Sequence, residues 1–172
     1  MYRVALLGIL SSCTVASAQL DVENVCVTYS DVQIAAVAPG TTTLDHTWTY
    51  DKLAAIQALA AQVQDLQFVS IDAHATTGIT SLAFIDSAHV TVASGDPTSP
   101  LPTLDVYDCD DDCVPDGESL SVPSTLQQSA IAYVESGSIV VDMQLAGQVP
   151  TVDWTMDADF CFSGVVGYSE SL

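Results

Sequence analysis

The sequence is almost devoid of basic residues. Its 172 residues contain only two Lys or Arg side chains, Arg3 and Lys52, against 22 Asp or Glu, and its formal net charge is −20. Nucleic-acid binding and electrostatic docking on anionic lipids both need clusters of Lys and Arg. Both functions are therefore excluded, and the surface is expected to attract cations or a basic protein partner instead. The composition does not indicate an oligomeric state.

Asp greatly outnumbers Glu, and Lys is nearly missing. This bias resembles that of proteins that work in salty water, where dissolved ions screen the repulsion between like charges. The high apolar fraction, 49%, is nevertheless typical of a chain that folds around a core.

Long apolar segments are also missing. Arg3 precedes an apolar run, Val4 to Leu10, that is too short to cross a bilayer. A positive start followed by a short apolar run is typical of a secretory signal. The sequence therefore predicts a signal peptide over residues 1–18 and one exported domain over residues 19–172.

Two processing sites compete within this signal. Ala16-Ser17-Ala18 predicts cleavage before Gln19 and a soluble periplasmic or secreted product. Leu10-Ser11-Ser12-Cys13 resembles a bacterial lipobox, and we favour it because a lone cysteine ends so short an apolar run. Through LSSC, the chain resembles small exported lipoproteins of Gram-negative bacteria, including myxobacteria. The resemblance implies acylation of Cys13 and an anchor in outer-membrane lipid, and it brings no known activity.

Cysteine is scarce, with five residues in the chain. Apart from Cys13, there remain Cys26, Cys109, Cys113 and Cys161, which predict two disulfides in an oxidising compartment. Cys26 and Cys161 lie on the polar faces of the first and last long predicted strands, so they can pair if those strands are neighbours. Cys109 and Cys113 are then left to close a turn. The crossed pairings stay open at this point.

Alternation of apolar and polar residues dominates the rest of the chain and is typical of half-buried strands. It is clearest over residues 139–145 and 154–162. Between residues 50 and 66, apolar residues recur at three- and four-residue steps, which predicts one helix. About eight short strands, one helix and no βαβ repeat predict an antiparallel β-sandwich, either immunoglobulin-like or jelly-roll-like.

Three segments give weaker patterns. Residues 14–22 are small and polar and predict a short tether. Residues 78–94 continue a strand pattern, and residues 129–135 form an ambiguous further strand.

The most acidic stretch is YDCDDDCVPDGES, residues 107–119. Four carboxylates fall at positions 1, 3, 5 and 9 of an EF-hand-like loop: Asp108, Asp110, Asp112 and Asp116. Cys113 replaces the glycine of position six, and Ser119 replaces the bidentate glutamate of position twelve. We therefore interpret the stretch as a disulfide-closed hairpin tip that requires no cofactor, and calcium binding is kept as the alternative.

Catalytic motifs are missing. His46, His74 and His89 are scattered without H-E-x-x-H spacing, and there is neither a G-x-S-x-G elbow nor a glycine-rich phosphate loop. Asp157 and Asp159 share a strand face, where a solvated position is expected. The sequence therefore predicts a non-catalytic cell-envelope or surface lipoprotein with a structural or interaction role. A calcium-dependent adhesion or ligand-binding module is the alternative, and a secreted hydrolase is the third.

Aromatic residues are few, at 7% of the chain. Trp48 and Trp154 are predicted to lie in the core. Tyr29, Tyr50 and Tyr107 are candidates for the lining of a binding groove.

Overall fold

The computed structural model describes residues 16–170 except residues 52, 61–62, 64, 99, 111–112 and 126–128, and gives the backbone alone for residues 16–24, 55, 59 and 166–170. In the described residues the strands are β1 (Ala16–Ile34), β2 (Thr43–Tyr50), β3 (Asp65–Thr77), β4 (Ile85–Ser94), β5 (Leu104–Cys109), β6 (Ser119–Pro123), β7 (Ile139–Gly147) and β8 (Trp154–Glu170). The helices are α1 (Ala54–Ala60) and α2 (Ile131–Glu135). No helix in this part of the chain is long and apolar enough to span a membrane.

The strands form two four-stranded antiparallel sheets, in the orders β1-β8-β3-β6 and β2-β7-β4-β5. The strands pair as nested hairpins, because β4 pairs with β5, β3 with β6, β2 with β7 and β1 with β8. Two sheets with this order make a jelly-roll sandwich. The prediction of an antiparallel β-sandwich is confirmed. Of the two predicted forms, immunoglobulin-like and jelly-roll-like, the strand order is that of the jelly roll.

The core lies between the sheets and is filled largely by alternate residues of the strands. In β7, Ile139, Val141, Met143 and Leu145 are buried. In β8, the buried positions run from Trp154 through Phe162 at the same spacing. Alternation of this kind stabilises a sandwich because each strand gives one face to the core and the other to water.

The predicted helix is present but shorter. Tyr50 belongs to β2, α1 spans Ala54–Ala60, and β3 starts at Asp65. Tyr50 is fully buried and its ring packs on Phe160, so the inward alternation of β2 continues to its last residue. Leu66 fits the helical spacing only by coincidence. It belongs to β3, where it occupies the first inward position.

The three weaker segments were predicted wrongly, wholly or in part. Residues 131–135 form α2, which buries Tyr133 and Val134, in place of a strand. Residues 78–84 precede β4 and contain no strand. Residues 16–22 were predicted as a tether, and they pair with Gly164–Glu170 as the first part of β1.

The antiparallel order sorts the connections to the two ends of the sandwich. The β1–β2, β3–β4, β5–β6 and β7–β8 connections lie at one end, which we call the loop end. The connections that contain α1 and α2 lie at the opposite end, which we call the helix end, and β1 begins there.

Candidate functional site

Hydrogen bonds join the four connections of the loop end to one another. The amide of Ala36 donates to Asp153 Oδ1 at 2.8 Å, and the amide of Gln148 donates to the Phe84 carbonyl at 3.1 Å. The amide of Leu82 donates to the carbonyl of Gly117 at 2.8 Å. Loops tied together on a rigid sandwich are a common place for recognition, so the candidate sites are sought here.

One groove at the loop end is acidic. It encloses about 160 Å³, and its charged and imidazole groups are Asp45, His89, Asp108 and Asp110. The His89 ring lies between two carboxylates, with Nδ1 3.2 Å from Asp108 Oδ1 and Nε2 3.4 Å from Asp105 Oδ1. His89 is thus the local partner of the two β5 carboxylates, which sequence spacing does not reveal.

The predicted calcium ligands are only partly brought together. Asp108 and Asp110 line the acidic groove, whereas Asp116 forms a backbone bridge with Ser119, with N···O distances of 2.8 and 3.1 Å. Asp112 lies outside the described residues. Among the described residues, no group of three or more His, Cys, Asp or Glu is arranged to hold a metal ion. Calcium binding stays an untested alternative.

Both predicted disulfides are present. Cys109 and Cys113 close the turn after β5, with a Cα–Cα distance of 5.2 Å, and this turn belongs to the loop end. Cys26 on β1 is bonded to Cys161, the residue directly opposite it on β8. The Cys161 sulfur lies 3.3 Å from Asp72 Oδ2 on the neighbouring strand β3. Cys13, the predicted acylation site, lies outside the described residues.

The three histidines lie in different surroundings. His46 is on the inward side of β2, 5.5 Å from the Trp48 ring between centroids, and burial lowers its pKa. His74 is on the other sheet, where Nδ1 lies 3.0 Å from Ser119 Oγ. His89 occupies the acidic groove. The fold therefore does not assemble them into one catalytic group, and the absence of catalysis stays a prediction.

Asp157 and Asp159 have local structural contacts. Asp157 Oδ1 accepts the backbone N–H of Asp31 at 2.9 Å, where Asp31 has a φ of 60°. Asp159 accepts the hydroxyl of Thr28. These bonds tie β8 to β1 and are consistent with carboxylates on an outer sheet face.

The buried aromatic residues differ in part from prediction. Trp48 and Trp154 are 9% and 2% exposed, as predicted for core residues. Tyr50 and Tyr107 are fully buried, so they line the core and not a groove. Burial raises the pKa of Tyr50 to about 12, and it also raises the pKa of Tyr107. Among the residues that the structure describes, neither hydroxyl has a hydrogen-bond partner.

Tyr107→Phe is expected to stabilise the protein by about 1 kcal/mol, because it removes a buried hydroxyl that has no partner in the described part of the chain. For a domain of this size, the melting temperature then rises by about 2–4 °C. Tyr133→Phe is the matched control. The Tyr133 hydroxyl donates to the Pro102 carbonyl at 2.6 Å, so its loss is expected to destabilise by about 1 kcal/mol. Thermal melting of both variants gives the comparison, and equal shifts in the two would contradict the assignment.

A second cleft at the loop end was not predicted. It lies where β1 ends and β8 begins, encloses about 390 Å³ and is lined by Gln33, Ile34, Ala35, Thr77, Asp153, Trp154 and Thr155. Its polar residues come from three separate parts of the sequence, at positions 33, 77 and 153–155, and carry no motif. The only local signal is the run Thr76-Thr77-Gly78, which is typical of a strand that ends in a turn.

No protein-family model matches the sequence, and no curated protein matches it. Among solved structures, the chain is similar to a semi-empty virus-like particle of giant freshwater prawn Macrobrachium rosenbergii nodavirus, at 10% identity and a TM-score of 0.35, over 99% of this chain and 94% of that chain. It is also similar to Desmodium yellow mottle tymovirus, at 10% identity and a TM-score of 0.27, over 99% of this chain and 96% of that chain. Scores this low carry no argument about function, and the jelly-roll assignment rests on the strand order alone.

Proposed function

We propose that this chain is an exported, non-catalytic domain of the cell envelope or cell surface, with a structural or interaction role. The observation that carries the proposal is the Cys26–Cys161 disulfide, which joins the first strand to the last. Disulfides of this kind persist in exported proteins and are rare in a reducing cytosol. The second bond, Cys109–Cys113, points the same way.

An acyl anchor at Cys13 is the finer part of this proposal. β1 begins at Ala16, and Ala16, Ser17 and Ala18 pair with Glu170, Ser169 and Tyr168 of β8. Cleavage after Ala18 would remove those three residues from the strand. Processing at Cys13 would keep them, which supports the lipobox interpretation. It would also place the anchor beside the helix end and leave the loop end on the far side.

The partners of such a protein are limited by charge. A surface with a formal net charge of −20 repels anionic polymers and its own copies, whereas neutral or basic partners meet no such barrier. We therefore expect the partners to be neutral or basic molecules at the cell surface, and we place the binding region at the loop end.

Cys13→Ala is expected to abolish lipid labelling and to move the protein from the membrane fraction to the soluble fraction, because it removes the acylated thiol. Intact-mass analysis is expected to find an acylated Cys13 as the first residue. On reduction, the protein is expected to gain four hydrogens, two for each disulfide.

Ser12→Gly is the control for this experiment, since glycine is the more usual residue before a lipobox cysteine. This variant is expected to stay in the membrane fraction. If the unchanged chain, Ser12→Gly and Cys13→Ala all gave a soluble product that begins at Gln19, the acyl-anchor hypothesis would be wrong. The protein would then be a secreted one.

A further inference from the structure

Two threonines, Thr77 and Thr155, line the cleft between β1, β3 and β8, and the Thr155 hydroxyl joins them to a third, Thr76, in a cluster of three hydroxyl groups. Thr155 Oγ1 lies 2.6 Å from Thr76 Oγ1 and 2.6 Å from Thr77 Oγ1. The cluster exists because the pairing of β3 with β8 is irregular between Ala75 and Thr77, so that two consecutive threonines meet one residue of β8. Bulges often redirect side chains next to functional sites.

The cluster keeps unused hydrogen-bonding capacity. Each hydroxyl carries one donor hydrogen and two acceptor lone pairs. The two internal contacts use two of the three hydrogens, so one donor and several lone pairs have no partner among the described residues and remain for another molecule. A cluster of this kind suits a ligand whose groups both donate and accept hydrogen bonds, as the hydroxyl groups of a sugar do.

The carboxylate and amide of the cleft extend this polar surface. Asp153 is exposed, and its Oδ1 accepts the amide of Ala36, which holds the side chain in place. Gln33 is exposed at the end of β1, where it is paired with Thr155 of β8. Together with the threonines, these side chains present carboxylate, amide and hydroxyl groups within one cleft.

The part of the lining at Trp154, which we call the floor of the cleft, is fixed by packing. Trp154 is 2% exposed and meets Phe84 edge to face, at 5.8 Å between ring centroids. Gly78, with a φ of +83°, lies so close to this strand that an added Cβ would be 2.2 Å from the Asp153 carbonyl oxygen. Only glycine fits there, and a preformed floor lowers the entropic cost of binding.

Charge restricts the chemistry of the ligand. No residue that lines the cleft is basic, and Lys52 is the only basic residue of the chain after Arg3. Phosphate, sulfate and uronic acid groups would therefore face Asp153 with no cation to balance them. A basic ligand would find only one charged partner in the cleft, Asp153, whereas a neutral polyhydroxyl compound matches the carboxylate, the amide and the hydroxyl groups together.

We propose that this cleft binds a short neutral saccharide. Its volume of about 390 Å³ falls within the range of small-molecule sites, about 300–1,000 Å³. The inference rests on the proposed surface role, because an anchor at Cys13 would leave the loop end, and with it the cleft, facing outward. From Val22 to Ile34, β1 covers about 40 Å between the two ends.

Titration of the purified exported protein with maltotriose, cellotriose and tri-N-acetylchitotriose, followed by amide chemical shifts, tests this proposal. At least one of the three is expected to produce saturable shifts at concentrations up to about 20 mM, within the affinity range of weak binding. The shifts are expected in residues 33–36, 76–78 and 153–155. Trigalacturonic acid, a trisaccharide of similar size with three carboxylates, is expected to produce none.

Substitutions at Thr155 identify the cluster as the binding group. Thr155→Val keeps the shape and removes the central hydroxyl, and it is expected to weaken binding at least about tenfold. Thr155→Ser keeps the hydroxyl and is expected to bind within about threefold of the unchanged protein. Thr47→Val is the matched control on β2, because Thr47 donates to Asp142 outside the cleft at 3.2 Å, and it is expected to leave binding unchanged.

Three results would overturn the saccharide site. These are no shifts with any neutral trisaccharide, equal binding by Thr155→Val, and equal binding of trigalacturonic acid. None of them bears on Cys13, because membrane fractionation and intact mass are read independently of the cleft. Failure of the saccharide site is thereby distinguished from failure of the proposed surface role.

Discussion

Replacing Cys26 and Cys161 together by alanine is expected to lower the free energy of unfolding by about 5 kcal/mol. The two cysteines are 135 residues apart, and cross-linking so long a loop removes a large part of the entropy of the unfolded chain. They also join β1 to β8, and β8 is the strand on which both β1 and β3 pair. A loss of this size is comparable with the whole stability of many domains, so the variant is expected to be unfolded in part at 37 °C.

The Cys109→Ala/Cys113→Ala variant is the matched control. Its two cysteines are only 4 residues apart, so the same entropy argument gives about 2 kcal/mol. Urea unfolding of the two variants and the unchanged protein measures both losses. If the two variants lost equal stability, the loop-length argument would fail, and local contacts such as that between the Cys161 sulfur and Asp72 would become the explanation.

The long strands and the disulfides were predictable because each depends on a local rule. A two-residue period fixes which side chains of β7 and β8 face the core. The same period places Cys26 between Val25 and Val27, and Cys161 between Phe160 and Phe162. Once the first and last strands are neighbours, the register pairs these cysteines directly.

The ends of elements and the small helix were not predictable, because tertiary packing decides them. Leu53, Ile56 and Ala60 are buried as the helical period requires, yet Leu66 keeps the same spacing from a strand. Residues 131–135 have no decisive period, and α2 forms because Tyr133 and Val134 are buried against the core. Short apolar runs are ambiguous between helix and strand for this reason.

The candidate sites were the least predictable part. His89 meets Asp105 and Asp108 only because β4 pairs with β5 in one register. Thr76 and Thr77 meet Thr155 across 79 and 78 residues of sequence, and only because the β3–β8 pairing contains an irregularity. No sequence period encodes a bulge, so such a cluster becomes visible only in three dimensions.

Raising sodium chloride from about 0.1 M to about 1 M is expected to raise the melting temperature by about 10 °C, or about 3 kcal/mol for a domain of this size. The formal net charge is −20, and the ion pairs among the described residues all use histidine as the cation. Self-repulsion of this kind opposes the compact state. Added salt shortens the screening length from about 10 Å to about 3 Å and therefore stabilises the fold.

The triple variant Asp45→Asn/Asp86→Asn/Glu135→Gln tests whether repulsion is the cause. All three side chains are exposed, and the variant has three fewer negative charges. Because repulsion grows with the square of the net charge, the salt-induced rise in melting temperature is expected to shrink by about a quarter. The variant is also expected to melt higher than the unchanged protein at low salt. If the rise were the same in both proteins, salt would be acting on apolar burial and not on charge.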